Sequence, residues 1–358
     1  MFIIDAHLDL SMNAIDWNRD LTQPLDSIKS REHHWKDKPD RGNGMVSLPE
    51  LRKGNIGLVV ATQIARAVEI TNPLPGWHSP AQAWAHTQAQ FAWYKEMEAA
   101  NEMIMIKNKH ELRSHLTLWN NPDYKDLNKP IGYILSLEGA DSLVDLGYLD
   151  IAYQYGLRAI GPAHYGPGRY ANGTDAHGHL SAQGRELLKK MQALNMILDA
   201  THLCDDAFWD AMDLYSGPIW ASHNNCRSIV NHNRQFSDEM IKSLIQKGAV
   251  IGAAFDAWMI VPGWTRGSSN PKEMNCNLDK LIDHMIHICD IAGNVNHIGL
   301  GTDLDGGFGS EQSPYDIHSI AGLQSLNGLF AKRGFTELEI QKVLSQNWYD
   351  FMYKNLPE

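Results

Sequence analysis

Nine short apolar runs, separated by longer polar or amphipathic stretches, limit what this chain of 358 residues can fold into. They are 2–8, 56–64 (IGLVVATQI), 103–107 (MIMIK), 131–137 (IGYILSL), 157–161 (LRAIG), 196–201 (MILDAT), 218–222 (PIWAS), 249–255 and 297–302 (HIGLGT). Runs of this kind read as strands, and strands alternating with helix-length segments predict βα units around a parallel sheet. The intervening helices carry their own punctuation. Ser237 is an N-cap ahead of Asp238 and Glu239, and Gly248 closes that helix. The helix Leu278 to Ala292 ends at Gly293 in the same way, and Thr336 with Glu339 forms a capping box for the C-terminal helix. The longest predicted helix, rich in Ala, Gln and Glu, runs from Pro80 to Met103.

A closed (β/α)8 TIM barrel uses eight strands, one fewer than the runs supply. The run 103–107 is short and is followed at once by Asn108 and Lys109, so it is assigned as an accessory edge strand. An open doubly wound sheet is the alternative, but no GxGxxG turn follows the first strand. With no repeat, low-complexity tract or linker, residues 1–358 are expected to form a single barrel domain with loop insertions. The charged segment 31–44 (REHHWKDKPDRGNG) is expected to be a solvated loop, and 71–80 (TNPLPGWHSP) a second insertion. Loops after barrel strands line the active-site mouth, so both are expected to be walls or lids.

Hydrophobic residues make up 43% and charged residues 20%, ordinary for a globular chain with a large core. The net charge of −11 argues against nucleic acid or an anionic membrane as partner. Four scattered cysteines without a CxxC indicate neither a disulfide framework nor a thiolate zinc site. The first strand begins next to Met1, so no signal peptide is expected, and no apolar run is long enough to span a membrane. A cytoplasmic location is the expectation.

Catalytic residues of a barrel enzyme sit at the C-terminal ends of several strands. Here those ends carry His7 and Asp9, Glu138 in SLEGAD, His164 in GPAHYG, His202 in DATHLC, His223 in WASHNN and Asp303 in GTDLDG. Imidazoles and carboxylates without thiolates suit a catalytic zinc site or one for a similar borderline metal. One zinc needs three protein ligands, whereas His7, Asp9, Glu138, His202 and His223 make five. Two ions sharing a carboxylate are the economical solution. Such a pair holds a bridging hydroxide, which implies hydrolysis of an amide or ester.

The ordered set AHLDL, MVSLPELRKGNIG (45–57), SLEGAD (136–141), DATHL (199–203), WASHNNCRSIVNHNRQFSDE (220–239) and GLGTDLDG (299–306) resembles the membrane (renal) dipeptidase family. That family lies among the amidohydrolase-like metal-dependent hydrolases, and the resemblance covers nearly the whole chain. It implies a zinc-dependent dipeptidase in which His7 and Asp9 bind the first zinc, His202 and His223 the second, and Glu138 bridges them. It places the oxyanion-stabilising, substrate-side histidine on His164 and the arginine that holds the substrate carboxylate on Arg234. The aspartate that moves the proton from nucleophile to leaving amine falls on Asp303. The implied partner is a small free dipeptide, and homodimer formation is left open. After His164 the chain departs from the family with a Gly-rich YGPGRYANGT, expected to reshape the pocket wall. A related binuclear-metal amidohydrolase acting on another small amide, ester or lactone is the alternative, and a non-catalytic barrel a third.

Other polar residues are read as structural. His284 and His287, at i and i+3, are assigned to a partly exposed helix face, and His177 and His179 to a polar surface loop. Asp305 competes with Asp303 but lies further along its loop. GLGTDLDGGFG lacks the Lys-Ser/Thr of a phosphate-binding loop, and Trp84 and Trp93 are assigned to the core.

Overall fold

The computed structural model describes residues 1–69, 72, 74–124 and 129–358. Each predicted run contains a strand: β1 (Ile3–Leu8), β2 (Ile56–Ile64), β3 (Met103–Met105), β4 (Ile131–Glu138), β5 (Leu157–Gly161), β6 (Ile197–Asp199), β7 (Ile219–Trp220), β8 (Ile251–Ala253) and β9 (Ile298–Leu300). The sheet runs β7-β6-β5-β4-β2-β1-β9-β8, all parallel, and an Ala221–Ile251 bridge brings β7 to β8. Eight parallel strands with surrounding helices thus make a nearly closed (β/α)8 barrel.

β3 stands outside the circle. β5 pairs with Leu135–Glu138 of β4, and β3 covers the Ile131–Tyr133 part of the edge that β5 leaves bare. Capping this short edge satisfies backbone groups that would otherwise be unpaired.

One buried cluster unites Ile4, Leu58, Ile134, Ala159, Ile197 and Trp220, drawn from six strands, with Trp348, Phe351 and Met352 of the C-terminal helix. These residues fill the barrel and close its N-terminal end. Trp348 Nε1 donates to Leu300 O at 2.9 Å, and a Cβ on Gly299 would lie 2.2 Å from that nitrogen. Only glycine permits this approach.

Register holds the most consequential feature of β1. Asp5 pairs with Val59 and Leu8 with Ala61, so β1 takes three steps where β2 takes two. This bulge lets Ala6 pack in the interior cluster while its neighbour His7 also turns inward.

The helix punctuation is as predicted: Ser237 accepts from Met240 N, Gly293 ends its helix at φ 70°, and Thr336 and Glu339 make both capping-box bonds. Two expectations are corrected and one helix carries an irregularity. The long helix stops at Ala99 instead of Met103, because Asn101 takes a left-handed φ of 57° and turns the chain towards β3. The C-terminal helical segment is interrupted by a π-helical turn at Lys342–Gln346. Segment 31–44 is not wholly solvated. Arg19 binds Glu32 at 2.8 Å and Asp40 at 2.9 Å, and Arg41 binds Glu32 at 2.7 Å, burying both carboxylates. Of the 71–80 insertion, residues 71 and 73 lie outside the described residues.

Candidate active site

The strand ends deliver their side chains with a fixed offset. His164, His202, His223 and Asp303 each lie three residues beyond the last residue of β5, β6, β7 and β9, while Glu138 is the last residue of β4. His202 and Asp303 are held at φ 68° and 57°, a region non-glycine residues seldom occupy and one that clusters at functional sites.

Glu138 is the hub. Its Oε1 is 3.2 Å from His202 Nε2, 3.5 Å from His223 Nε2 and 3.5 Å from His7 Nε2. His7 Nε2 is also 3.8 Å from an oxygen of Asp9 and 3.8 Å from one of Asp303. Tetrahedral ligands at about 2.0–2.2 Å from a zinc lie about 3.3–3.6 Å from one another, so these separations suit ions among them. His7 Nε2 is buried and has no hydrogen-bond partner among the described residues, an orphan aimed at three carboxylates.

The electrostatics have the same sense. Burial first, then Asp9 and Asp303, push Glu138 well above the carboxylate range, and burial likewise lifts Asp303 and Asp9. Burial drives His202 and His223 well below their ordinary range, and burial with the Arg234 charge takes His7 down to about 3. Acids pushed towards the protonated form beside imidazoles pushed towards the neutral one mark a cluster short of positive charge, and a divalent cation relieves both costs at once. The donor set therefore fits a metal.

A cavity of about 730 Å³ opens over the cluster, and Arg66, His164, Tyr165, Arg234 and Asp303 line it. Pro39 and Asn43 of the 31–44 segment and Pro75 of the 71–80 insertion add to its walls, as expected of mouth loops. Arg234 is 3% exposed. Its Nη2 donates to His223 O at 2.9 Å, while Nη1 is buried without a partner among the described residues. A model of the membrane dipeptidase family, peptidase family M19, matches residues 1–353. The chain belongs to that family.

Membership makes it a metallo-dipeptidase. Among similar proteins, "Dipeptidase tcpJ" of Claviceps purpurea is 27% identical over 60% of this chain, and the alignment spans 50% of that protein's length. An uncharacterized protein from the pqqA 5' region of Klebsiella pneumoniae is also 27% identical, over 62% of this chain and 81% of its own. The crystal structure of dipeptidase AC, a family M19 metallopeptidase, superposes with a TM-score of 0.80 at 22% identity, covering 100% of this chain and 99% of that one. A Rhodobacter sphaeroides metallopeptidase liganded with a phosphinate mimic of L-Ala-D-Ala gives 0.78 at 21% identity, with 99% of each chain covered. These likenesses show the same fold.

Around the dipeptidase cluster lies a layer of polar residues that the strand-end argument did not find. Thr62 Oγ1 donates to Asp9. Thr174 Oγ1 meets His202 Nδ1 at 3.0 Å, and Ser222 Oγ meets His223 Nδ1 at 2.9 Å and His7 Nδ1 at 3.4 Å. A hydroxyl on each Nδ1 fixes the ring so that Nε2 points inward. Asp5 accepts from His7 N at 3.2 Å, Thr302 N at 2.8 Å and Thr302 Oγ1 at 2.6 Å, tying β1 to β9. Asp199 accepts from Thr201 N at 3.1 Å and Ser222 N at 3.0 Å, tying β6 to β7. Their signal in the sequence was a carboxylate set inside an apolar strand run, two residues before His7 and three before His202.

The residues set aside behave as structure. His177 and His179 are exposed, and His179 pairs with Asp210 at 3.1 Å. Asp305 accepts from Met45 N at 2.7 Å and Val46 N at 2.9 Å, away from the cluster. The expectation for His284 needs correction: it is fully buried, with Nδ1 accepting from Cys226 N at 3.1 Å and Nε2 3.0 Å from Ile260 O. Two backbone partners make burial of its ring tolerable.

Proposed function

We propose that the enzyme hydrolyses free dipeptides with two zinc ions, His7 and Asp9 holding one, His202 and His223 the other, and Glu138 bridging them. The observation that carries this reading is the convergence of three imidazole Nε2 atoms within 3.5 Å of one Glu138 oxygen. Zinc supplies Lewis acidity there and lowers the pKa of water towards neutrality.

The chain's own residues do the rest. Arg234 holds the substrate's C-terminal carboxylate through Nη1, which has no partner among the described residues, with a charge that arginine keeps in proteins. Its packing against the His223 carbonyl fixes the distance between that carboxylate and the scissile bond. His164, at the cavity wall, donates to the oxygen that gains charge as the carbonyl carbon becomes tetrahedral. Asp303 lies 3.8 Å from His7 Nε2 and is 16% exposed on its side chain, at the border between cluster and cavity. From there it takes the proton of the attacking water and hands it to the leaving nitrogen. The phosphinate ligand of the Rhodobacter sphaeroides relative is a tetrahedral dipeptide mimic, which favours the same substrate class here.

A library of free dipeptides varied in side chain and in L or D configuration, assayed with zinc, tests the proposal. Turnover of dipeptides with a free carboxylate supports it. Turnover confined to N-acyl amino acids, esters or lactones moves the assignment to a related binuclear-metal amidohydrolase.

A further inference from the structure

Four of the histidines around the cavity face a polar side chain through Nδ1, but not the same kind of side chain. His202 faces Thr174 Oγ1, and His223 and His7 face Ser222 Oγ. A hydroxyl can accept, so these rings are free to carry the proton on Nδ1 and keep the Nε2 lone pair for a metal. His164 faces a guanidinium instead: Arg66 Nη2 lies 2.5 Å from its Nδ1. Arginine carries donors only and does not give up its charge in proteins. The nitrogen it faces must therefore accept.

We propose that Arg66 is a positioning residue that locks His164 in the Nε2–H tautomer, making it a hydrogen-bond donor to the substrate and not a metal ligand. The inference rests on the reading of His164 as the oxyanion-side donor. One ring nitrogen of His164 lies within 4.8 Å of a Glu138 oxygen and a His202 nitrogen, so proximity alone would admit it as a ligand. The Arg66 bond decides otherwise: with Nδ1 occupied as acceptor, the neutral ring has its proton on Nε2 and no lone pair to offer there.

Arg66 is itself placed by the loop after β2. Its Nη1 donates to Pro75 O at 3.0 Å, and its backbone carbonyl accepts from Trp77 N at 2.8 Å. An isolated parallel bridge pairs Ala67 with Trp77 next to it. The insertion thus holds in place, through Pro75 and Trp77, the residue that sets the donor, in addition to walling the cavity.

The test is long-range ¹H–¹⁵N correlation of ring-labelled histidines in the zinc-loaded protein, with His164 assigned from the spectrum lost in His164→Gln. An unprotonated Nδ1 and a protonated Nε2 on His164 are expected, with the opposite pattern on rings whose Nε2 faces the metals. Arg66→Met should remove the His164 pattern, lower kcat about 10–100-fold, as loss of an outer partner does, and leave KM within about threefold and zinc content unchanged. Arg66→Lys, which restores a donor, should recover the tautomer and part of kcat. A protonated Nδ1 in the parent protein, or an Arg66→Met spectrum like the parent's, overturns the proposal. So does a rise in KM with kcat preserved, which would make Arg66 a direct substrate contact. The spectrum is read whether or not a dipeptide is turned over, so failure of the dipeptidase reading and failure of the tautomer lock are separate results.

Discussion

The Nε2 atoms of His202 and His223 face each other 3.2 Å apart inside the barrel. Each ring has its other nitrogen on a hydroxyl that can accept its proton, and with both protons there two lone pairs meet across a distance at which a cation bound to both relieves their repulsion. Three carboxylates, Asp9, Glu138 and Asp303, crowd the same space. Chelation should therefore lower the thermal midpoint, and returned zinc should restore it. A ligand at about 1,000 times its Kd adds about 4 kcal/mol, a shift of many degrees that calorimetry resolves. An unchanged midpoint after complete zinc removal would mean that the cluster tolerates its own repulsion.

Asp303→Asn removes the proton carrier and keeps its size. Zinc content should stay as in the parent while kcat falls at least about 100-fold, the usual worth of a positioned acid–base group. Retained turnover would take Asp303 out of the mechanism.

Arg234→Ala should act mainly on binding. KM for a free dipeptide should rise by about 10–100-fold, the loss of a charge-assisted pair of about 1.5–3 kcal/mol, with kcat less affected. The C-terminal amide of the same dipeptide is the control. Equal losses on acid and amide would show that Arg234 does not read the carboxylate.

His284 gives a prediction about acid stability. Burial takes its pKa from 6.5 down to about 4, and Nδ1 cannot take a proton without losing its bond from Cys226 N. The folded chain then binds fewer protons than the unfolded chain between those values, so this stability is present above about pH 6.5 and is lost as pH falls towards 4. Urea unfolding at pH 7, 6 and 5 should show the loss. In His284→Gln the slope should flatten by up to one proton's worth, about 1.4 kcal/mol per pH unit. A variant with the parent's slope would remove His284 as a source.

The fold was legible because barrel strands, buried on both faces, appear as continuous apolar runs such as IGYILSLE and IGLVVATQI. Helix ends at Ser237, Gly293 and Thr336 were legible because caps are local chemistry. The bulge in β1 was not, since it exists only in the register between β1 and β2. The burial of His284 depends on Cys226, 58 residues away, and the anchoring of Asp5 on Thr302, 297 residues away. Residues at strand ends could be named as site candidates from position alone. Their supports, Arg66, Thr174 and Ser222, come from loops and neighbouring strands whose approach no spacing announces.

The account's central claim is that free-dipeptide hydrolysis depends on two zinc ions held around Glu138. It is tested most directly by returning zinc stepwise to the chelated protein while following hydrolysis of a free dipeptide. The account predicts turnover that rises to a break at about two zinc per chain, the number its five ligands accommodate. Full activity without zinc, a break at one equivalent, or no dipeptide hydrolysis at any zinc level would contradict it.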